Sequence, residues 1–203
     1  MQKDTSGAGA PATDRERPRR SDATKAAILA AARARFAGQG YERTTIRAVA
    51  ADADIDAAMV MRYFGSKEQL FEAALAIDLQ LPDLAQVPAD RVPALLVRHF
   101  LDRWEGDPTD DALLVLLRSA VTNDQAAARM REIFARQVAP AVAGALPPGA
   151  DPLPRVALLS AQLLGLALTR YLLRIPAVTA LTPRQVEELY APAVAAVLAP
   201  DPR

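Results

Sequence analysis

The chain has 203 residues, with 24 Lys and Arg balanced by 24 Asp and Glu, and no cysteine. The missing thiol excludes a disulfide framework, thiolate zinc sites and a cysteine nucleophile together, and zero net charge leaves no overall electrostatic pull toward nucleic acid or membrane. Hydrophobic residues make up 51% and aromatic ones only 5%, so the expectation is an all-α fold whose core is mainly Leu, Val and Ala.

Residues 1–20 are rich in Gly, Ala, Pro, Thr and charge without any hydrophobic period, and a disordered basic tail is expected there. The polar start carries no signal-peptide core, and no uninterrupted run of about 18 apolar residues follows, so neither export nor a membrane span is expected. The end of the tail, Arg15, Arg17, Arg19 and Arg20, has two readings: an arm on phosphates or a minor groove, or a solubilising leader. Charge is unevenly placed. Residues 15–47 hold nine basic and three acidic side chains, whereas residues 48–82 hold two basic and six acidic ones. A local positive patch counts for more in phosphate binding than the total does.

Helix 1 is expected to open at Ser21 or Asp22, bury Ile28, Leu29, Ala32 and Phe36, and end at Gly38 and Gly40. Residues 44–71, TTIRAVAADADIDAAMVMRYFGSKEQLF, then read as two short helices joined by a tight turn, with a further helix starting at the SKEQL. Thr44 or Thr45 can cap the first, because a hydroxyl there accepts from an orphan N–H of the opening turn. Ile46, Val49, Ala50 and Ala53 recur at i, i+3, i+4 and i+7, the stripe of a helix with one buried face. Asp54 interrupts the stripe, and Asp56 is a good cap for the second helix. On that helix Val60 and Phe64 face inward, leaving Ala57, Ala58, Met61 and Arg62 outside. A small, nearly charge-free outer face flanked by Arg47, Arg62, Tyr63 and Lys67 suits a helix pressed into a major groove, with cations and hydroxyls around it on phosphates. This is the helix-turn-helix arrangement.

The stretch from about residue 21 to 71 resembles the TetR-type transcriptional repressors. Phe36, Gly40-Tyr41, Thr44-Thr45-Ile46-Arg47, Val49-Ala50, Ala53, Ile55, Tyr63-Phe64, Ser66-Lys67-Glu68 and Leu70-Phe71 carry the likeness. Asp54 stands where family members usually have Gly, and Met61 where they often have an aromatic residue. The resemblance implies base reading by Arg47, Ala57, Ala58 and Met61, with Met59 beside them. Thr44 or Thr45, together with Arg62, Tyr63 and Lys67, is assigned to phosphates. Asp56 caps its helix and either repels phosphate or accepts from a cytosine amino group. The implied organisation is a helix-turn-helix domain over residues 21–66 and a helical ligand-binding and dimerisation domain over 67–203, about nine helices in all.

Ser66 is expected to cap helix 4, running through Leu70, Phe71, Ala74 and Leu75 toward Leu79. After a Pro-containing break near residues 81–88 come helices near residues 92–104, 110–121 (capped by Thr109 or Asp110), 124–146 and 154–174. Pro140 should kink or shorten the third of these. A last helix over 182–198 is capped by Thr182 and should bend or break near Glu188, because Pro192 lies inside it. The helix at 154–174 is apolar almost all round, so both its sides need cover. A second copy of the chain is expected on it and on Val186, Leu189, Tyr190, Ala193 and Val197, giving a homodimer.

Enzymatic readings find no support. There is no phosphate loop, nucleophile elbow or metalloprotease stretch. His99 is the single histidine, and only Asp102 among its helical neighbours could join it, short of the three ligands of a catalytic zinc. No metal and no cofactor are expected. Polar residues within apolar helices are instead candidates for a small-molecule pocket: His99, Arg103, Trp104, Arg118, Gln162 and Thr169. The expected function is a cytoplasmic, sequence-specific repressor released from a double-stranded, near-palindromic operator by a small-molecule effector. An alternative of another class is a ligand-binding or protein-interaction module whose helix-turn-helix no longer reads DNA, motivated by Asp54, Asp56 and the acids around them.

Overall fold

A computed structural model describes residues 20–106, 112–146 and 149–199. The expected tail, the side chains of its four arginines and the cap at Thr109 or Asp110 lie outside them. Among the described residues all regular structure is helical: α1 (Arg20–Arg43), α2 (Ile46–Asp52), α3 (Ala57–Phe64), α4 (Lys67–Ala74), a short 3-10 helix (Leu84–Gln86), α5 (Val92–Glu105), α6 (Ala112–Ser119), α7 (Asp124–Ile133), α8 (Ala139–Ala145), α9 (Pro152–Ala167), the single-turn α10 (Pro176–Thr179) and α11 (Pro183–Leu198), with two π-helical stretches described below.

Two hydrophobic clusters organise the molecule. The first joins Ile28, Ala32 and Phe36 of α1 to Val49, Val60, Phe64, Leu70 and Phe71, and continues into Val115, Leu116 and Ile133. The helix-turn-helix is therefore seated on α6 and α7, and its core runs unbroken across the boundary expected at residue 66. The second cluster unites α5, α8, α9 and α11 around Leu96, Val97, Val142, Leu159, Val186 and Val194.

Helix ends follow local chemistry. Gly40, at φ 80°, breaks α1 near its end, a left-handed geometry that costs glycine nothing. Thr182 closes a capping box with Gln185, and Pro183 follows at the first position. Pro192 does not break α11, which runs unbroken from Pro183 to Leu198. Pro140 is absorbed differently: a π-helical stretch, Phe134–Val138, precedes α8 and places the proline in the first turn, where its missing N–H leaves no interior bond unmade. A second π stretch, Leu168–Leu172, extends α9. Together they form the 21-residue span Pro152–Leu172, long and apolar enough in composition to cross a membrane. Its two arginines tie it instead into the fold: buried Arg155 donates to the carbonyl of Ala199, and buried Arg170 pairs with Glu105.

Helix α4 is a correction. It stops at Ala74 rather than continuing toward Leu79, and residues 76–80 run on without regular structure. A segment outside any helix or sheet must find other partners for its peptide groups, and here side chains supply several of them. Arg33 donates to the carbonyl of Ala74 at 3.1 Å and Arg129 to that of Leu75 at 3.2 Å. The carboxamide of Gln137, in the first π stretch, donates to the Ile77 carbonyl at 2.9 Å and accepts from the Leu79 amide at 2.8 Å. Arg103 reaches the Asp78 carbonyl at 3.2 Å and His99 Nε2 the Leu79 carbonyl at 2.8 Å.

Candidate nucleic-acid interface and internal cavity

The pair α2–α3 is built as its residues dictate. The Thr45 hydroxyl accepts from the Ala48 amide at 3.2 Å and the Asp56 carboxylate from the Ala58 amide at 2.6 Å, so each helix opens on its own side-chain cap. Between them Asp54 takes φ 54°, the left-handed geometry the turn requires, and the chain closes with the Ile55 amide on the Ala50 carbonyl at 2.9 Å. Val60 and Phe64 anchor α3 in the core. Gly65, at φ 77°, ends it, and the Ser66 hydroxyl caps α4 by accepting from the Gln69 amide at 3.1 Å.

What α3 leaves outside is Ala58, Arg62 and Met61, the last 44% exposed, with Ala57, Met59 and Tyr63 half-buried beside them. Arg47 on α2 is exposed. Lys67 sits where α1 ends and α4 begins: its ammonium lies 4.2 Å above the Tyr41 ring and 3.4 Å from the Glu42 carbonyl. Burial, and then a 2.9 Å bond to Glu68, push the Tyr41 phenol up to about 12. Thr44 departs from expectation. It is only 1% exposed, and its hydroxyl donates back to the Gly40 carbonyl at 2.8 Å, so it closes the α1–α2 corner and cannot meet a phosphate. Ser21, expected only as a possible start of helix 1, also reaches the edge of this interface. Its hydroxyl lies 3.4 Å from that of Tyr63, which brings the amino end of α1 to the edge of α3. Only the fold could reveal this pairing across 42 positions.

The acids of this region are largely occupied. Asp52 holds Arg35 through two bonds of 2.5 and 2.7 Å. The guanidinium hydrogen bond, aided by its charge and opposed by slight desolvation, holds the Asp52 carboxyl below its usual range. Asp56 is engaged as a cap, and Asp54 stands exposed in the turn.

In the carboxy-terminal half a cavity of about 110 Å³ lies between α5, α6, α7, the first π stretch, α8 and α9, with Leu79 and Leu81 of the connecting segment in its wall. His99, Arg103 and Trp104 line it as expected, and its other walls are mainly Leu, Ile, Val, Phe and Met. Arg118, Gln162 and Thr169 are not in the wall. Arg118 follows Leu116 by two positions, roughly 200° around α6 from the cavity side. Gln162 is off the α9 stripe facing the cavity, which is Ser160, Leu163, Leu164 and Ala167. Its carbonyl meets the Tyr190 hydroxyl of α11 at 2.7 Å. The π stretch alters the turn that carries Thr169, whose hydroxyl donates to the Gly165 carbonyl at 2.8 Å. Ser160, which is not among the polar candidates of the sequence analysis, belongs to that stripe by its i, i+3, i+4, i+7 spacing. At the rim Trp104 stacks on Tyr171, with centroids 4.8 Å apart and planes within 3°. Glu105 accepts from both Arg170 and Tyr171, at 2.9 and 2.8 Å. Burial, then this carboxylate, raises the Tyr171 phenol.

A capped, core-anchored short helix presenting small and apolar residues between basic groups defines a helix-turn-helix DNA-binding protein, here carried on a helical domain with an internal cavity. The comparisons with known proteins agree. Residues 28–74 match the family of bacterial regulatory proteins of the tetR type, and residues 90–198 match the tetracyclin repressor-like carboxy-terminal domain. The chain belongs to the TetR family of transcriptional regulators, DNA-binding proteins rather than enzymes. It is 40% identical over 93 residues to the HTH-type transcriptional repressor Rv3405c of Mycobacterium tuberculosis, an alignment covering 44% of this chain. The chain spans about half, 50%, of the length of the curated relatives it matches. Among solved structures, a TetR-family regulator of Streptomyces coelicolor (SCO0857) aligns over 90% of this chain and 98% of its own, at 28% identity and a TM-score of 0.61. NalD, the secondary repressor of the MexAB-OprM multidrug efflux pump in Pseudomonas aeruginosa, aligns over 89% of this chain and 99% of its own, at 23% identity and a TM-score of 0.61, a likeness of fold.

Proposed function

We propose that this regulator is a homodimeric, cytoplasmic repressor released from a near-palindromic operator when a small molecule fills the cavity. Arg47, Ala57, Ala58, Met59 and Met61 read base edges, while Thr45, Arg62, Tyr63 and Lys67 hold phosphates, with Ser21 added at the start of α1. Asp56 stabilises α3 as its cap, by roughly 1 kcal/mol. Thr44 leaves this set because its hydroxyl is buried. The engagement of Asp52 and Asp56 within the fold weighs against a helix-turn-helix that no longer reads DNA.

One observation carries the release mechanism: residues 76–80 leave the DNA-binding head and at once form part of the cavity wall, hydrogen-bonded there to the wall residues His99 and Arg103. A ligand that binds more tightly when this segment is displaced shifts the population toward the released state by its differential affinity, with no further device required. The dimer reading is supported by Leu153, Leu158, Leu168, Leu173 and Leu189, large apolar side chains left exposed on α9, on and just after its π extension, and on α11. Val186 is withdrawn from that surface, since it is 2% exposed in the core of its own chain. Tyr190, Ala193 and Val197 are half-buried and stay at its edge. Two heads on a two-fold axis would meet successive major grooves about 34–36 Å apart or a multiple of it.

Fluorescence anisotropy with the DNA upstream of the chain's own coding sequence, followed by a random-sequence selection, tests the reading. Tight, salt-sensitive binding to a two-fold site that survives excess unrelated DNA is the expected result. A selection that enriches no sequence would overturn it.

A further inference from the structure

The cavity itself narrows the chemistry of what enters it. At about 110 Å³ it is somewhat smaller than an engineered apolar cavity of about 150 Å³ that holds benzene. It therefore accommodates a single ring or its aliphatic equivalent. Among the described residues no carboxylate lines it, so an amine would enter without a counter-ion from them, and burying an unpaired charge is costly. The cationic wall residue, Arg103, is already donating to the Asp78 carbonyl. His99 likewise directs its Nε2 to the Leu79 carbonyl. Among the described residues Ser160 supplies the wall's hydroxyl. It is 9% exposed, sits in the middle of the α9 stripe that faces the cavity, and its hydroxyl has no hydrogen-bond partner. A buried hydroxyl left unmatched in an apolar wall costs free energy that a matching ligand atom recovers.

Resting on the reading of this cavity as the effector site, we propose that the effector is an uncharged, single-ring-sized, mainly hydrocarbon molecule bearing one oxygen. That oxygen, a hydroxyl or carbonyl, hydrogen-bonds Ser160. Recognition is then hydrophobic in strength and polar in orientation: the ring fills the Leu, Ile and Phe walls, and the single oxygen sets which way round it lies.

Trp104 is the chain's single tryptophan and lines the cavity, so its fluorescence reports entry without any DNA present. The test titrates the full chain with phenol, toluene, benzylamine and benzoate, in wild type and in Ser160→Ala, and repeats the phenol titration on the operator complex. Expected are saturable changes with phenol tightest, toluene weaker by roughly threefold to tenfold for the lost hydrogen bond, and little response to either ion. In Ser160→Ala the phenol advantage over toluene should vanish while toluene binding persists, which also shows that the variant is folded. Equal affinity of phenol and toluene in wild type, tighter binding of either ion, an unchanged phenol preference in Ser160→Ala, or no saturable binding of phenol would each overturn the proposal. Phenol that binds with the expected selectivity but leaves the operator complex intact upholds the ligand chemistry and overturns the release reading instead.

Discussion

At the scale of single residues, the interface divides into groups free to meet DNA and groups already committed to the fold. Arg47 is exposed on α2, and on the base-reading proposal Arg47→Ala should weaken the preferred sequence most, by about 1–3 kcal/mol, narrowing the gap to unrelated DNA. An unchanged preference in a competition assay would remove it from the base-reading set. Lys67 presents a point charge already stacked over Tyr41. Lys67→Ala should lower binding to all sequences alike and reduce the slope of log affinity against log salt by about 1; a loss confined to one sequence would contradict a phosphate role. Asp52 supplies a pH prediction. Its folded carboxyl lies below the ordinary value near 3.8 because Arg35 holds the charged form. The stability it contributes is therefore present above that ordinary value and is lost as pH falls through the lower folded one. Asp52→Asn should show a smaller drop in melting temperature than wild type over this acid range, measured by circular dichroism.

At the scale of elements, the stop of α4 at Ala74 matters most. Its residues would allow the helix to continue. What ends it is a set of donors from α1, α5, α7 and the first π stretch that satisfies the carbonyls of residues 74, 75, 77, 78 and 79 individually. Such a segment is held from outside, not by its own periodicity, and it can be released by competing for those donors. Gln137 makes two of the contacts, so Gln137→Leu should leave the Ile77 carbonyl and the Leu79 amide unmatched and cost about 2–4 kcal/mol. Urea unfolding measures that loss. The same variant should bind operator more weakly even where it is fully folded, and unaltered affinity would show that the segment does not transmit position to the head. The π stretches serve this geometry: one accommodates Pro140 while presenting Gln137, and the other carries Arg170 and Tyr171 to Glu105.

At the scale of the whole molecule, two cores meet along α5, α6 and α7, so a change at the cavity wall lies against helices that also seat the DNA-binding head. The exposed leucines of α9 and α11 leave an apolar face that a second copy would cover. Leu158→Glu combined with Leu189→Glu should yield monomers by light scattering and abolish tight operator binding, while single heads keep weak affinity for half-sites. A dimer that persists would place the interface elsewhere.

The features legible without a structure were those set within a few residues of themselves. The caps at Thr45, Asp56, Ser66 and Thr182, the left-handed turn at Asp54 and the inward pair Val60 and Phe64 depend on spacing and local hydrogen bonding. A helix-turn-helix is assembled almost wholly from such short-range rules, which is why it could be read. Tertiary packing alone decided that Thr44 turns inward, that α4 stops at Ala74, and that Ser160 rather than Gln162 faces the cavity. The first two depend on partners dozens of positions away, and the third on which stripe of α9 the other helices enclose; a periodicity counted along one helix contains neither.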